Sequence, residues 1–147
     1  QERADILLGL MNYRAAWHSL GILSGFQWLD GSFFENVEDL EARSPRDVDV
    51  VTFFDLPPGQ TQRSLFPSVR PLLDVKTTKR TYSVDAYGFP MGGAYDGRAV
   101  KSTAYWYSMW SHRRNGIWKG FVQVSLDPAN ESMCTSEIHR IIAGGFS

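Results

Sequence analysis

Eight residues, DVDVVTFF from Asp47 to Phe54, constrain the fold more than any other stretch. They are β-branched and aromatic, and Pro57-Pro58-Gly59 stops them, so they predict a strand. Side chains at i and i+2 share a strand face. Val48 and Val50 therefore face a core, while Asp47 and Asp49 project together from the other side, roughly 7 Å apart at the backbone. Two carboxylates so placed repel each other unless they are protonated or something positive sits between them. A hard divalent cation is one such group, since Mg2+ takes oxygen ligands, often one or two carboxylates plus substrate phosphates. Capping a loop or pairing with arginine is the plainer use of the same acids.

The other elements are shorter or more ambiguous. Residues 2 to about 22 predict a helix, with Ile6, Leu10, Tyr13, Trp17 and Leu20 on one stripe and Glu2, Arg3, Asp5 and Arg14 largely off it. Phe26–Leu29 predicts a strand between glycines. Phe33–Arg46 carries four acids and reads as a short helical turn and a loop. Gln60–Asp74 predicts a helix interrupted at Pro67 and Pro71. Thr81–Phe89 predicts a strand, and Gly92, Gly93 and Gly97 a loop. Residues 98–113 predict an aromatic helix ending in Arg113-Arg114-Asn115-Gly116, a suitable charge and stop. Trp118–Leu126 predicts a strand, and Glu131–Ala143 a helix in the tail. The expectation is one α/β (α+β) domain over residues 1–147, a mixed sheet of about four strands with about four helices. Its core spans about 1–126, with a C-terminal tail at 127–147.

Composition excludes more than it selects. With 147 residues, 43% hydrophobic and 14% aromatic, the chain has material for a real core. The formal charge is −1, from 15 basic and 16 acidic residues, so bulk charge does not point to a nucleic-acid or membrane surface. Neither an apolar run of spanning length nor a charged-then-apolar leader is read, and no membrane partner is expected. Cys134 is the single cysteine, which excludes an intramolecular disulfide and makes the cytoplasm the default compartment. Acids crowd Glu35–Asp49, whereas bases crowd Lys76–Arg80 and His112–Lys119.

Asp85 is a third acid of interest, set in the strand pattern Tyr82, Val84, Ala86. A charge there is costly without a partner. If its strand lies beside Asp47–Phe54, three carboxylates meet, as a two-metal phosphoryl-transfer site requires. Gly31-Ser32, after the Phe26–Leu29 strand, lets backbone approach a ligand, and its amides and hydroxyl can hold phosphate oxygens. Taken singly, Asp-x-Asp, Gly-Ser and Asp85 are each explained as well by a loop cap, a turn and a solvated edge residue. Their order along the chain is the specific signal.

WLDGSF, DVDVVTF and YSVDAYGF together resemble the polymerase-β-type nucleotidyltransferase superfamily. YWYSMWSHRR and WKGFVQV extend the likeness toward short bacterial proteins of that fold, over about residues 1–126. The resemblance implies that Gly31 and Ser32 contact the triphosphate and that Asp47 and Asp49 bind two metals, Mg2+ or Mn2+. Asp85 would bind the catalytic metal and help deprotonate an acceptor hydroxyl on a protein, an RNA or a small molecule. The spacer from Ser32 to Asp47 is slightly long for the pattern, and Glu35, Glu38, Asp39 and Glu41 add negative charge near the site. The likeness also implies a second class of role, a catalytically weak binding module such as an antitoxin or defence-system partner held by another protein.

Other residues carry weaker signals. Lys119, entering a strand in WKGF, is the basic residue singled out for the nucleotide; Lys76, Lys79, Arg80, Lys101, Arg113 and Arg114 otherwise read as a solvated basic face. Tyr105, Trp106, Tyr107 and Trp110 could stack a base, although a helix–sheet core explains them better. His18, His112 and His139 with one cysteine form no zinc pattern. Ser32 lacks a nucleophile-elbow context. Phosphatase and glycosyltransferase readings of Asp-x-Asp leave Gly31-Ser32 unexplained.

Overall fold

The computed structural model describes residues 2–93, 96–113 and 115–144. Among them, four strands form one mixed sheet in the order β3-β2-β1-β4. These are β1 (Gly25–Asp30), β2 (Val48–Phe54), β3 (Val84–Pro90) and β4 (Val122–Ser125). Strand β1 runs antiparallel to both β2 and β4, whereas β2 and β3 are parallel. A parallel pair needs a crossover. Here two helices supply it, α3 (Gln62–Leu73) and α4 (Val75–Tyr82).

The alternation of β2 divides the molecule into two cores. Val48, Val50 and Phe54 join Leu29, Val84 and Ala86 against Ile6, Leu10, Tyr13 and Trp17 of α1 (Glu2–Ser19) and Leu65, Val69 and Leu72 of α3. On the opposite face Val51, Phe53 and Trp28 pack with Trp110, flanked by Phe26, Phe89, Trp106 and Phe121. Helix α5 (Gly97–Trp110), capped by Asp96 accepting from the amides of Arg98 and Ala99, provides that second cover. This is the α+β sheet architecture the pattern predicts.

Several boundaries differ for physical reasons. Helix α1 stops at Ser19, and Gly21 turns the chain at φ +76°. Between β1 and β2, the expected helical turn is a 3-10 turn (Ser32–Phe34) and α2 (Val37–Glu41). Helix α3 passes through both Pro67 and Pro71; each proline deletes one donor, but buried Leu65, Val69 and Leu72 hold the helix down. Thr81 and Tyr82 end α4 rather than beginning a strand, because Ser83 adopts a left-handed cap (φ 56°) whose amide bonds Lys79 O. Helix α4 was not expected from the sequence. Gly9 explains its placement: a Cβ there would lie 2.1 Å from Tyr82 O, so only glycine lets α1 approach the end of α4 this closely. Helix α5 ends at Trp110, three residues before the Arg113 stop, and β4 begins at Val122 rather than Trp118. Counting α6 (Glu131–Gly144), six α-helices are described. Helix α6 packs on α1 and buries Ile138, so this part of the predicted tail belongs to the folded body.

Arg14 departs furthest from its expected place. Instead of lying off the buried stripe it is 6% exposed. Its guanidinium donates to Glu131 Oε1, Gln27 Oε1 and Ser125 O, each at 2.7 Å, joining α1 to β1, β4 and α6.

Candidate functional site

Strand register assembles the acids. Asp30 pairs opposite Asp49, and Asp49 opposite Asp85. Laterally paired residues share a face, so three carboxylates run in a row across β1, β2 and β3, on the face that also holds Val51 and Phe53. Asp47 stands one residue before β2 and adds a fourth carboxylate at the start of that strand. The expected trio of Asp47, Asp49 and Asp85 is thus brought to one end of one sheet face. Asp30, which the sequence reading passed over, joins it. Its signal was present: Asp30 lies two residues after Trp28 on the same strand, so it shares that inner face.

A cation already bridges two of these acids. Lys79, in the last turn of α4, places Nζ 2.8 Å from Asp85 Oδ2 and 3.0 Å from Asp47 Oδ2. The positive group beside Asp47 is therefore a lysine, and it bridges to Asp85 rather than to Asp49. Its pKa is raised, first by the hydrogen bond to Asp85 and then by Asp47, against a partial desolvation cost. Asp49 is left less well matched. Burial, then the charges of Asp85, Asp47 and Asp30, push its pKa up to about 6, with Lys79 giving partial relief. Asp30 is also raised by burial, opposed by its hydrogen bond and attraction to Lys119.

Gly31 explains how β1 exits beside this row. Its φ is +93° and ψ −173°, a region open essentially to glycine alone. A Cβ there would lie 2.8 Å from Asp49 Oδ2. The backbone at Gly31 therefore lies against a carboxylate, and Ser32 begins the 3-10 turn immediately beyond. Gly31→Ala is expected to destabilise the fold by about 1–3 kcal/mol from backbone strain, and to displace Asp49. Urea unfolding measures it; a loss under about 0.5 kcal/mol would show that the turn relaxes freely.

A second charged cluster adjoins the first. Lys119 Nζ sits 2.8 Å from Asp30 Oδ1 and 3.3 Å from Glu35 Oε1, while Arg113 Nε lies 2.8 Å from Glu35 Oε2. Lys119 thus reaches the acid row through Asp30, and its side chain is largely buried. Arg3 fixes the loop that carries Glu35: its guanidinium donates to Phe33 O and Glu35 O and pairs with Glu38. Glu41 pairs with Arg43, and Asp39 accepts from Asn36. Much of the negative charge in the Ser32–Asp47 spacer is therefore matched locally.

The remaining candidates separate. Lys76, Arg80 and Lys101 are exposed, and Arg114 lies outside the described residues. Trp110 is buried in the aromatic core, Trp106 is half-buried, and Tyr105 and Tyr107 are exposed. His18 bonds Leu126 O, His112 packs tilted against Trp118, and Cys134 is exposed.

Among the described residues, no three His, Cys, Asp or Glu side chains could hold a metal ion as they stand. Lys79 engages one oxygen each of Asp47 and Asp85. The donor chemistry nevertheless fits a hard cation, because the oxygens are carboxylate and Asp85 Oδ1 is buried with no hydrogen-bond partner among the described residues.

Fold and site together define an α+β domain with a carboxylate row at one end of a mixed-sheet face, held partly closed by lysine. Residues 1–125 match DUF6932, a family of unknown function, and the chain belongs to that family. No curated protein and no solved structure matches it. No helix among the described residues is long and apolar enough to cross a membrane.

Proposed function

We propose that this protein is a metal-dependent nucleotidyltransferase of the polymerase-β type, moving a nucleoside monophosphate from a nucleoside triphosphate to a hydroxyl. The observation that carries this reading is the parallel register of β2 and β3. It sets Asp49 beside Asp85, with Asp47 two residues from Asp49 and Gly31 against Asp49.

Asp47, Asp49 and Asp85 would hold Mg2+ or Mn2+, which when bound supplies charge neutralisation of the triphosphate and of the developing negative charge. Gly31 and Ser32 present backbone and hydroxyl to the phosphates at the exit of β1. Asp85 accepts the proton of the acceptor hydroxyl as its oxygen bonds to the α-phosphorus. The bond from that phosphorus to the bridging oxygen breaks, and pyrophosphate leaves. Lys119 holds Asp30 and Glu35 beside the row and places positive charge at its β1 end. Positioning and electrostatics contribute most of the rate in such transfers. The cytoplasm, with its nucleotide pool, is the compartment we propose.

Incubation with Mg2+ or Mn2+ and α-labelled nucleotides, with and without cell lysate, tests the proposal. Label is expected to move to a protein, an RNA or a small molecule, and Asp47→Asn is expected to reduce this by at least about a hundredfold, the scale of removing a group that stabilises transition-state charge. Transfer that survives Asp47→Asn would remove these acids from the mechanism.

A second reading has its own support. Lys79 already bridges Asp47 and Asp85 without any ligand, and Tyr105 and Met109, one turn apart on α5, are each 55% exposed. A catalytically silent binding module, such as an antitoxin or defence-system partner held through that face, would show no transfer and would co-purify with its partner.

A further inference from the structure

We propose that Lys79 is a hand-over residue: it occupies the cation's oxygens in the free protein and passes to the triphosphate when the cation binds. This inference rests on the function proposed above and deepens it by assigning a ligand contact and a binding order.

The geometry is specific. Lys79 uses Oδ2 of Asp47 and Oδ2 of Asp85 together, at 3.0 and 2.8 Å. A magnesium-sized ion sits about 2.0–2.1 Å from its oxygen ligands. An ammonium that close to the same two oxygens competes with it for space and charge, so the cation binds those oxygens only as Nζ leaves. The side chain is placed to leave. It is 43% exposed, whereas the side chains of Asp47 and Asp85 are 25% and 17% exposed, so the ammonium closes the site from its solvent side.

Its anchor, by contrast, stays put. Lys79 O accepts from Ser83 N, Thr78 beside it is fully buried, and Ser83 O in turn accepts from Val48 N at the start of β2. The four-carbon stem therefore swings from a fixed root at the edge of the row, and the released ammonium remains within reach of an anion bound there. A triphosphate is such an anion. Cation and triphosphate then bind with positive coupling, because each removes a cost of binding the other.

Titration with Mn2+, alone and with an ATP analogue bridged by methylene between the α- and β-phosphorus, tests this on native protein and on Lys79→Met. Native protein is expected to bind Mn2+ weakly alone and at least about tenfold more tightly with the analogue, a coupling of ordinary allosteric size. Lys79→Met should bind Mn2+ alone about tenfold more tightly than native, and at saturating Mn2+ should bind the analogue more weakly. A second readout needs no variant. Acetylation of native protein, read by mass spectrometry, should show Lys79 protected in chelator, reactive in Mn2+, and protected again with Mn2+ and the analogue. Equal Mn2+ affinity of native and Lys79→Met, or Lys79 reactivity indifferent to Mn2+, overturns the hand-over while leaving the proposed function standing. No binding of Mn2+ or analogue by either protein overturns both.

Discussion

Asp49→Asn is expected to stabilise the protein at neutral pH while removing the nucleotidyl transfer proposed above. Asp49 is half-buried beside three other carboxylates, and its pKa is pushed up to about 6. For an acid raised in this way, the folded state holds the proton more tightly than the unfolded state. Stability is then highest below the unfolded value near 4 and falls as pH rises toward about 6. At about 1.4 kcal/mol per pKa unit, ionising Asp49 costs on the order of 2–3 kcal/mol above that window. Asparagine keeps the shape and omits the charge. Urea unfolding from pH 4 to pH 8 should find the variant matching native protein at the acid end. At pH 8 it should exceed native by about 1–2 kcal/mol, allowing for partial solvation and for the partner charge that Lys79 loses. The proposed transfer activity should fall by about a thousandfold, because the acid central to the row is gone. A variant less stable than native at pH 8 would mean that the Asp49 charge is compensated in the fold, and the case for a cation site would lose its energetic basis.

The second large effect lies away from the site. Arg14→Met is expected to destabilise the fold by about 3–5 kcal/mol, the usual cost of removing one partner from a buried ion pair. Methionine keeps most of the stem volume, so the loss isolates the guanidinium. Gln27 is left fully buried, Ser125 O loses a donor, and the Glu131 side chain is left 19% exposed beside an apolar group. The double variant Arg14→Met/Glu131→Leu should recover part of the loss, because the orphaned charge goes with its partner. Chemical denaturation of the four proteins in that cycle gives both numbers. A single-variant loss below about 1 kcal/mol would reduce Arg14 to a surface residue, in conflict with its burial.

Arg14 also shows where sequence periodicity reaches its limit. Ile6, Leu10, Tyr13 and Trp17 were legible as the buried stripe of α1 because 3.6-residue spacing is a local property. Arg14 sits next to that stripe. Its burial depends on Gln27, Ser125 and Glu131, which lie 13, 111 and 117 residues away. No local pattern encodes such a meeting. Helix α4 was missed for a related reason. VKTTKRTY has little apolar content, and it is helical because it bridges α3 to β3 and tucks its end against Gly9.

The site divides along the same line. Alternation in DVDVV was enough to place Asp47 and Asp49 on one face and Val48 and Val50 in the core, since strand side chains repeat every two residues wherever the strand lies. Gly31 and Asp85 could be singled out by residue type and local context. Their assembly could not. That Asp85 lies level with Asp49 follows from a parallel register made by the α3–α4 crossover, and that Asp30 joins them follows from the antiparallel register of β1. The identity of the positive group was the least legible feature of all. The sequence demanded a cation beside Asp47 but carried several bases, and only the path of α4 brings Lys79 Nζ within 3.0 Å of one acid and 2.8 Å of the other. Local periodicity thus determined which residues face inward and which acids share a side. Long-range packing decided which of them meet and what neutralises them, because ion pairs depend on distances that only the closed fold creates.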